Sequence, residues 1–326
     1  TGGTMTGELE GVSGAGMTRA AMVTKIAGGF VPLNGVTYLL DGRLYLGKTS
    51  STLLPNLDGL VPAVDWTPQH FGDINGTTDS ATIQAMWDAA TLGQSILFPP
   101  DINYGINATI SAPVSYKTIT AYGARFNLTV DGPAFDLNPA ADPLNIASTA
   151  QNYGYWYGGQ FNSTLASPTA TAALKFLAIR QMTVKDIIVG STTGKMTRGL
   201  FIGGLGGHDI ENNRFIYTST AIYCPYFGAG VSGTITTSVF KNNQFLFDPA
   251  SSQQAFFVAC GFNRWNIIGG FVNGTSAESF HFTNRNAASV LNIQGVGFEQ
   301  ATAGGKFLFV EDTHSLELDS LNIDRC

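Results

Sequence analysis

An all-β parallel solenoid is the fold class that this 326-residue sequence predicts, and three observations predict it. Apolar or aromatic anchors recur at nearly one spacing down the second half of the chain: Phe161, Ile188, Phe215, Phe245, Phe271, Phe298 and Ile323. Such a period means stacked units, none of which can bury its apolar face alone. Around the anchors run short alternations of apolar and polar residues, such as Leu316-Glu317-Leu318, broken by Gly, Asn and Ser, which reads as short strands joined by turns. No long run at helical spacing lies between the anchors, and this argues against helical repeats.

Composition narrows the function classes. Charged residues make up 12% of the chain, against an average of about 25%, and 39 residues are Gly, which suits stacked turns. The net charge of -6 contains no basic block, so there is little to release counterions from a phosphate backbone, and nucleic acid is not an expected partner. No apolar run is long enough to span a membrane. Cys224, Cys260 and Cys326 lack C-x-x-C spacing and are expected as small buried residues. The four histidines, His70, His208, His281 and His314, are scattered, so neither a metal nor another cofactor is expected.

Three regions follow in order. Residues 1–62 read as a connector with one β-hairpin, because Asp41-Gly42 stands between the apolar runs VTYLL and RLYLG and suits a type I′ turn. Residues 63–115 read as a capping helix and first strands. Thr78 or Asp79 caps a helix whose Ile83, Met86, Trp87 and Ala90 share one face, and Gly93 ends it. Ser95 to Phe98 and Tyr104 to Ile110 are then strands, separated by Pro99-Pro100. A helix at this point covers the apolar core and the unpaired edges that a β-stack exposes at its open end. Residues 116–326 read as solenoid coils, in a stack expected to continue past Cys326.

Phe71-Gly72, Gly76, Asp79, Ile83-Gln84, Phe98-Pro99 and Tyr104-Gly105-Ile106 together resemble the opening of pectate-lyase-like proteins. That resemblance implies a right-handed, single-stranded parallel β-helix of the pectin-lyase-like type. The family usually has a Gly shortly before the Tyr, where this chain has Asp101-Ile102-Asn103, and only the local turn is put in question by that. Gly2-Gly3-Thr4-Met5-Thr6-Gly7 is similar to segments of bacteriophage tail fibre proteins. Joined to a capped β-helix, it resembles a tailspike or tail fibre. The resemblance implies a homotrimer in the virion tail, outside the cell, attached to other tail proteins through its N-terminal part and binding a bacterial surface polysaccharide that it often cleaves. A non-enzymatic adhesive spike and a secreted polysaccharide lyase are the alternatives, since one fold carries many activities.

Candidate chemistry comes from aligning anchors, because residues one coil apart lie about 4.8 Å from each other. The alignment stacks Asn212-Asn213 on Asn242-Asn243 with Asp186 below Asn213, and sets Glu211 beneath Lys241; both read as structural. Glu299 and Asp324 each follow an anchor, so they are expected on adjacent coils as a catalytic carboxylate pair, with Arg325 holding Asp324 ionised and contacting substrate. Asp312 over Arg285 and Glu311 over Asn284, near His314, read as surface pairing, and His208 with Asp209 and Glu211 as a weaker polar cluster. Tyr153, Tyr155 and Tyr157 alternate with other residues in NYGYWYGG, so they share one strand face, opposite Trp156. An outward row of tyrosines suits stacking against sugar rings.

Overall fold

The computed structural model describes residues 17–48, 51–63, 65–90, 93–141, 150–204, 206–225, 235–247, 253–260, 262–273, 278–283, 289–299, 306–310 and 318–324. The Gly2 to Gly7 segment, the Glu311-Asp312 and Asn284-Arg285 pairing, His314, Arg325 and Cys326 lie outside these residues.

Helix α1 (Arg19–Ala27) begins where the Thr18 hydroxyl accepts the Ala21 N–H at 3.1 Å. Strands β1 (Thr37–Leu40) and β2 (Arg43–Gly47) pair antiparallel, and β3 (Leu60–Pro62) adds to β2. At the hairpin tip Asp41 has φ 47° and Gly42 φ 75°, the positive values that a type I′ turn requires. Helix α2 (Ser80–Ala89) buries Ile83, Met86 and Trp87. It stops at Ala89, about a turn earlier than Gly93 suggests.

The remaining strands form three parallel sheets wound round one core. Sheet I has nine strands, from Ser95–Leu97 to Leu318–Asp324. Sheet II has eight short ones, from Asn103–Ile106 to Gly297–Glu299. Sheet III has eight, from Ile110–Ser111 to Lys306–Val310. Each coil visits the sheets in that order, so neighbours within a sheet come from successive coils. Phe98, Phe126, Phe135, Trp156 and Phe161 fill the first coils, with ring centroids 4.7 to 5.0 Å apart for Phe126–Phe161, Trp156–Phe135 and Phe98–Phe126. Burying one such ring contributes roughly 2 to 3 kcal/mol.

The open end is closed sheet by sheet. Trp66 pairs through its backbone with Ser95 and Leu97 at the edge of sheet I. The Asp79 carboxylate accepts the N–H groups of Gly105 at 2.8 Å, Asn75 at 2.8 Å and Gly76 at 2.9 Å, which satisfies the edge of sheet II. Asp79 therefore occupies the cap position of α2 while its side chain serves the sheet. The Gln84 amide imitates an absent strand at the edge of sheet III, accepting the Ser111 N–H at 2.8 Å and donating to the Ser111 carbonyl at 2.9 Å. An edge so paired offers no free ladder to another chain. A Cβ on Gly105 would fall 2.1 Å from the Thr77 carbonyl carbon, so this position of the motif needs glycine.

The anchor column is real but shifted at three places. Hydrogen-bond register joins Phe161, Val189, Phe215, Phe245, Val272 and Phe298 in sheet II. Ile188 and Phe271 are each one residue out of register and only half-buried. Ile323 belongs to sheet I over Ile293 and is 46% exposed. Consecutive apolar pairs caused the first two slips: Ile188-Val189 and Phe271-Val272 offer two residues for one inward position, and period-2 alternation inverts with a one-residue shift.

Candidate functional site

The outer face of sheet I changes character along the axis. Tyr116, Tyr153, Tyr155 and, at the following turn, Tyr122 stand 36% to 50% exposed, while Trp156 between Tyr155 and Tyr157 is fully buried. Alternation therefore places the three strand tyrosines as the sequence suggests. Tyr155 lies between Thr118 and Thr183, and half-buried Tyr157 lies between Thr120 and Lys185. The Tyr116 and Tyr153 rings approach to 6.1 Å. Farther along, Asn266, Asn292 and Asn322 occupy the column of Tyr155, Asn292 Nδ2 donating to Asn266 Oδ1 and Asn322 Nδ2 to Asn292 Oδ1, each at 2.8 Å. Their signal was legible as Trp265-Asn266-Ile267, Leu291-Asn292-Ile293 and Leu321-Asn322-Ile323.

Beside the tyrosines, at the turn from sheet I into sheet II, a pocket of about 330 Å³ is lined by Asp101, Tyr122, Arg125, Gln160 and Asp186. Asp101 also borders a cleft of about 770 Å³ that runs to Arg19 and Arg43 of the N-terminal unit, past Asn103 and Asn127. The two meet at Asp101, and this shoulder is the polar groove. Asp101 has φ 59° and Asp186 φ 60°, left-handed conformations that short polar side chains tolerate better than bulky ones. Asp101 thus fills the turn where the resembling family usually has Gly. The Tyr122 hydroxyl donates to Asp186 Oδ2 at 2.8 Å. Desolvation first, then that bond to a carboxylate, push the hydroxyl up to about 12, so it donates at any physiological pH. Lys185 pairs with Glu211 at 2.9 Å, and hydrogen bonding to that carboxylate raises its ammonium.

The carboxylates expected to act together do not stack. Glu299 ends a strand of sheet II, opposite Asn273, whose Nδ2 donates to it at 3.0 Å. Asp324 ends a strand of sheet I, opposite Gln294. The Ile323 misalignment explains this: Asp324 ends a strand of sheet I and Glu299 a strand of sheet II, so the two stand on successive coils but not in one column. Asp186 aligns with Asn212 in the outer position of the turn, and Ile187 with Asn213, a correction that follows from Val189 being the true anchor. Asn213 and Asn243 form an internal ladder: Asn243 Oδ1 accepts both the backbone and the side-chain N–H of Asn213 at 3.0 Å. Glu211 does face Lys241.

His208 points into the core while Asp209 and Glu211 face out, so the three do not converge. Its Nδ1 accepts the Met182 N–H at 3.2 Å and its Nε2 has no hydrogen-bond partner among the described residues; burial lowers its pKa to about 3. His70 is likewise buried, and burial lowers it to about 4. Cys224 and Cys260 are buried free thiols, and burial raises Cys224 well above its ordinary range. Sequence reasoning missed Asp101, Arg125 and Gln160 as groove residues, because the pocket joins four coils whose loops differ in length.

No family model matches this sequence, and no curated protein does. Among solved structures the chain is similar to the crystal structure of the Acinetobacter baumannii phage AM24 tailspike protein, with a TM-score of 0.51 at 14% identity. The match covers 90% of this chain and 58% of that one, so the chain spans less than two thirds of the tailspike's length. At that identity the likeness is one of fold: this chain folds as a parallel β-solenoid like that of a phage tailspike.

Proposed function

We propose that this chain is the solenoid of a phage tailspike, located on the virion tail, and that it binds a bacterial surface polysaccharide. The carrying observation is the exposed tyrosine row of sheet I beside a polar groove: sugar rings stack their C–H faces on aromatic rings, and the groove supplies amides, Arg125 and two carboxylates for hydroxyl groups. The motifs between Phe71 and Ile106 favour the pectate-lyase-like, right-handed type.

Attachment to other tail proteins falls to the N-terminal unit. Phe30, Leu33, Leu39, Leu44 and Leu53 are 39% to 47% exposed there and Val31 74%, apolar side chains of the kind a protein interface covers. Homotrimeric assembly belongs to the same proposal, and light scattering on the full-length spike tests it.

Glycan cleavage is the further activity proposed, and its candidate carboxylate moves from Glu299 and Asp324 to Asp186. The observation favouring this choice is that Asp186 accepts the Tyr122 hydroxyl in the pocket that Arg125 and Gln160 also line. Binding is tested by measuring adsorption of full-length protein to host cells and to their purified polysaccharide. Replacing Tyr153 and Tyr155 together with Ala is expected to weaken adsorption about tenfold or more at unchanged folding. Unaltered adsorption would move glycan recognition off this face.

A further inference from the structure

The cleft of about 770 Å³ lies where the N-terminal unit meets the solenoid, and its volume is that of a site for a small ligand. Arg19 of α1, Asp41 of the hairpin turn and Arg43 of β2 line it from the N-terminal unit. Gln69, Asp73 and Asp101 line it from the cap and the first turn of the solenoid. A molecule held there touches both units at once.

Two buried polar atoms of this cleft have no hydrogen-bond partner among the described residues: Oε1 of Gln69 and Nε of Arg19. Gln69 is only 7% exposed, and its Nε2 is committed to the Tyr104 hydroxyl at 3.2 Å. Arg19 Nη2 donates to the carbonyls of Pro55 at 3.3 Å and Phe71 at 3.4 Å, which holds the guanidinium in place between the two units. Buried polar groups are ordinarily paired, and one cleft here offers an unpaired acceptor and an unpaired donor. A hydroxyl group both donates and accepts, so a ligand bearing several hydroxyls meets both demands.

Charge and polarity narrow the class further. Three carboxylates, Asp41, Asp73 and Asp101, stand against the two guanidinium groups of Arg19 and Arg43, so an anionic ligand meets a net negative lining. Apolar lining is confined to Ile74 and Ile102, too little for the buried anchor of a protein partner.

We infer that this cleft binds an uncharged, hydroxyl-rich ring, such as a neutral sugar residue, and that the bound ring locks the N-terminal unit to the solenoid. The inference rests on the glycan-binding reading and adds a site off the tyrosine face, a preference for uncharged residues and a mechanical consequence. Arg19 is the first residue of α1, so a ligand bonded to its Nε and to Gln69 favours the closed joint by its differential affinity for that state. Occupancy by glycan is thereby transmitted to the unit that carries the proposed attachment surface.

The test titrates neutral hexasaccharides of glucose, galactose and mannose into the full-length protein, with hexagalacturonate as the charged comparison, and follows amide hydrogen exchange in α1. At least one neutral probe is expected to bind, to exceed hexagalacturonate in affinity by tenfold or more, and to slow exchange in α1 about tenfold. Gln69→Leu and Arg43→Ala should each weaken neutral-probe binding about tenfold, with thermal melting confirming that both variants fold. Tyr153→Ala with Tyr155→Ala separates the cleft from the tyrosine face. If that double variant abolishes neutral-probe binding while Gln69→Leu and Arg43→Ala retain it, the inference fails and the tyrosine site stands. The reverse pattern retains the inference and removes the tyrosine site. Binding that leaves exchange in α1 unchanged overturns the lock. A wild type that binds no neutral probe, or binds hexagalacturonate more tightly, overturns the inference and leaves the cleft a solvent-filled joint.

Discussion

The outer faces of sheets I and III both carry aromatic residues, and they arrange them in opposite ways. On sheet I, Tyr153, Tyr155 and Tyr157 run across a single strand, and neighbouring coils place threonines above and below Tyr155. Among the described residues these rings meet another only where Tyr153 approaches Tyr116 at 6.1 Å, and Tyr153 and Tyr155 stay 43% and 36% exposed. On sheet III one ring per coil, from Phe201 through Tyr223 and Phe257 to His281, falls in the same register, so each ring packs on the next and the column is half-buried. The lesson concerns direction: in a solenoid, aromatics spread along a strand remain available to a ligand, whereas aromatics repeated along the axis first stabilise one another.

The largest effect that would sharpen this contrast is chemical. If sheet I and its groove carry cleavage, Asp186→Asn should lower glycan cleavage by about a hundredfold or more while adsorption survives, measured by release of oligosaccharides. Undiminished cleavage would take the chemistry away from the groove.

Acid should strain both faces through the core they share. His70 and His208 stay neutral in the fold because burial lowers their pKa to about 4 and about 3. Below about pH 6.5 the unfolded chain binds protons that the folded chain refuses. Stability is therefore full above that pH and falls as pH drops toward the folded values, with His70 alone accounting for roughly 3 kcal/mol. A thermal-midpoint scan from pH 7 to pH 4 reads the loss. In His208→Asn the midpoint should be lower at pH 7 but change less on acidification. A wild-type midpoint flat over this range would contradict the assignment.

Truncating one ring on each face tests the comparison most directly. Phe257→Ala breaks two ring contacts and should cost about 2 kcal/mol of stability, whereas Tyr155→Ala, being solvent-facing, should change stability by only about 0.5 kcal/mol. Denaturant midpoints for the two variants decide it, and equal losses would erase the distinction. The smallest effect belongs to the Lys185–Glu211 pair. Glu211→Gln should alter stability by less than about 1 kcal/mol, an effect that salt diminishes further.

The N-terminal end was legible in part. Asp41-Gly42 needed positive φ and has it, whereas Asp79, read as a helix cap, turns its carboxylate to the open sheet edge, and the edge roles of Gln84 and Gly105 emerged only in the structure. A turn's requirement acts over neighbouring residues, so the sequence displays it. The candidate site was far less legible. Trp156 inward and the tyrosines outward followed from alternation, yet Asp101 and Asp186 line one pocket only because the turns of four successive coils stack there.

By itself, then, the sequence determined the architecture: short strands at a coil-length period, a hairpin, a capping helix and a low-charge stack. Period and alternation are local consequences of backbone geometry and survive without knowledge of the partners. Tertiary structure alone decided the register, choosing Val189 over Ile188 and Val272 over Phe271, and assigning Ile323 to sheet I. The physical reason is that either member of an apolar pair satisfies the pattern, while only one satisfies the hydrogen bonds to the strand beneath. Loops of unequal length between coils then hide from the sequence which distant side chains, such as Arg198 and Tyr223, come to lie against each other.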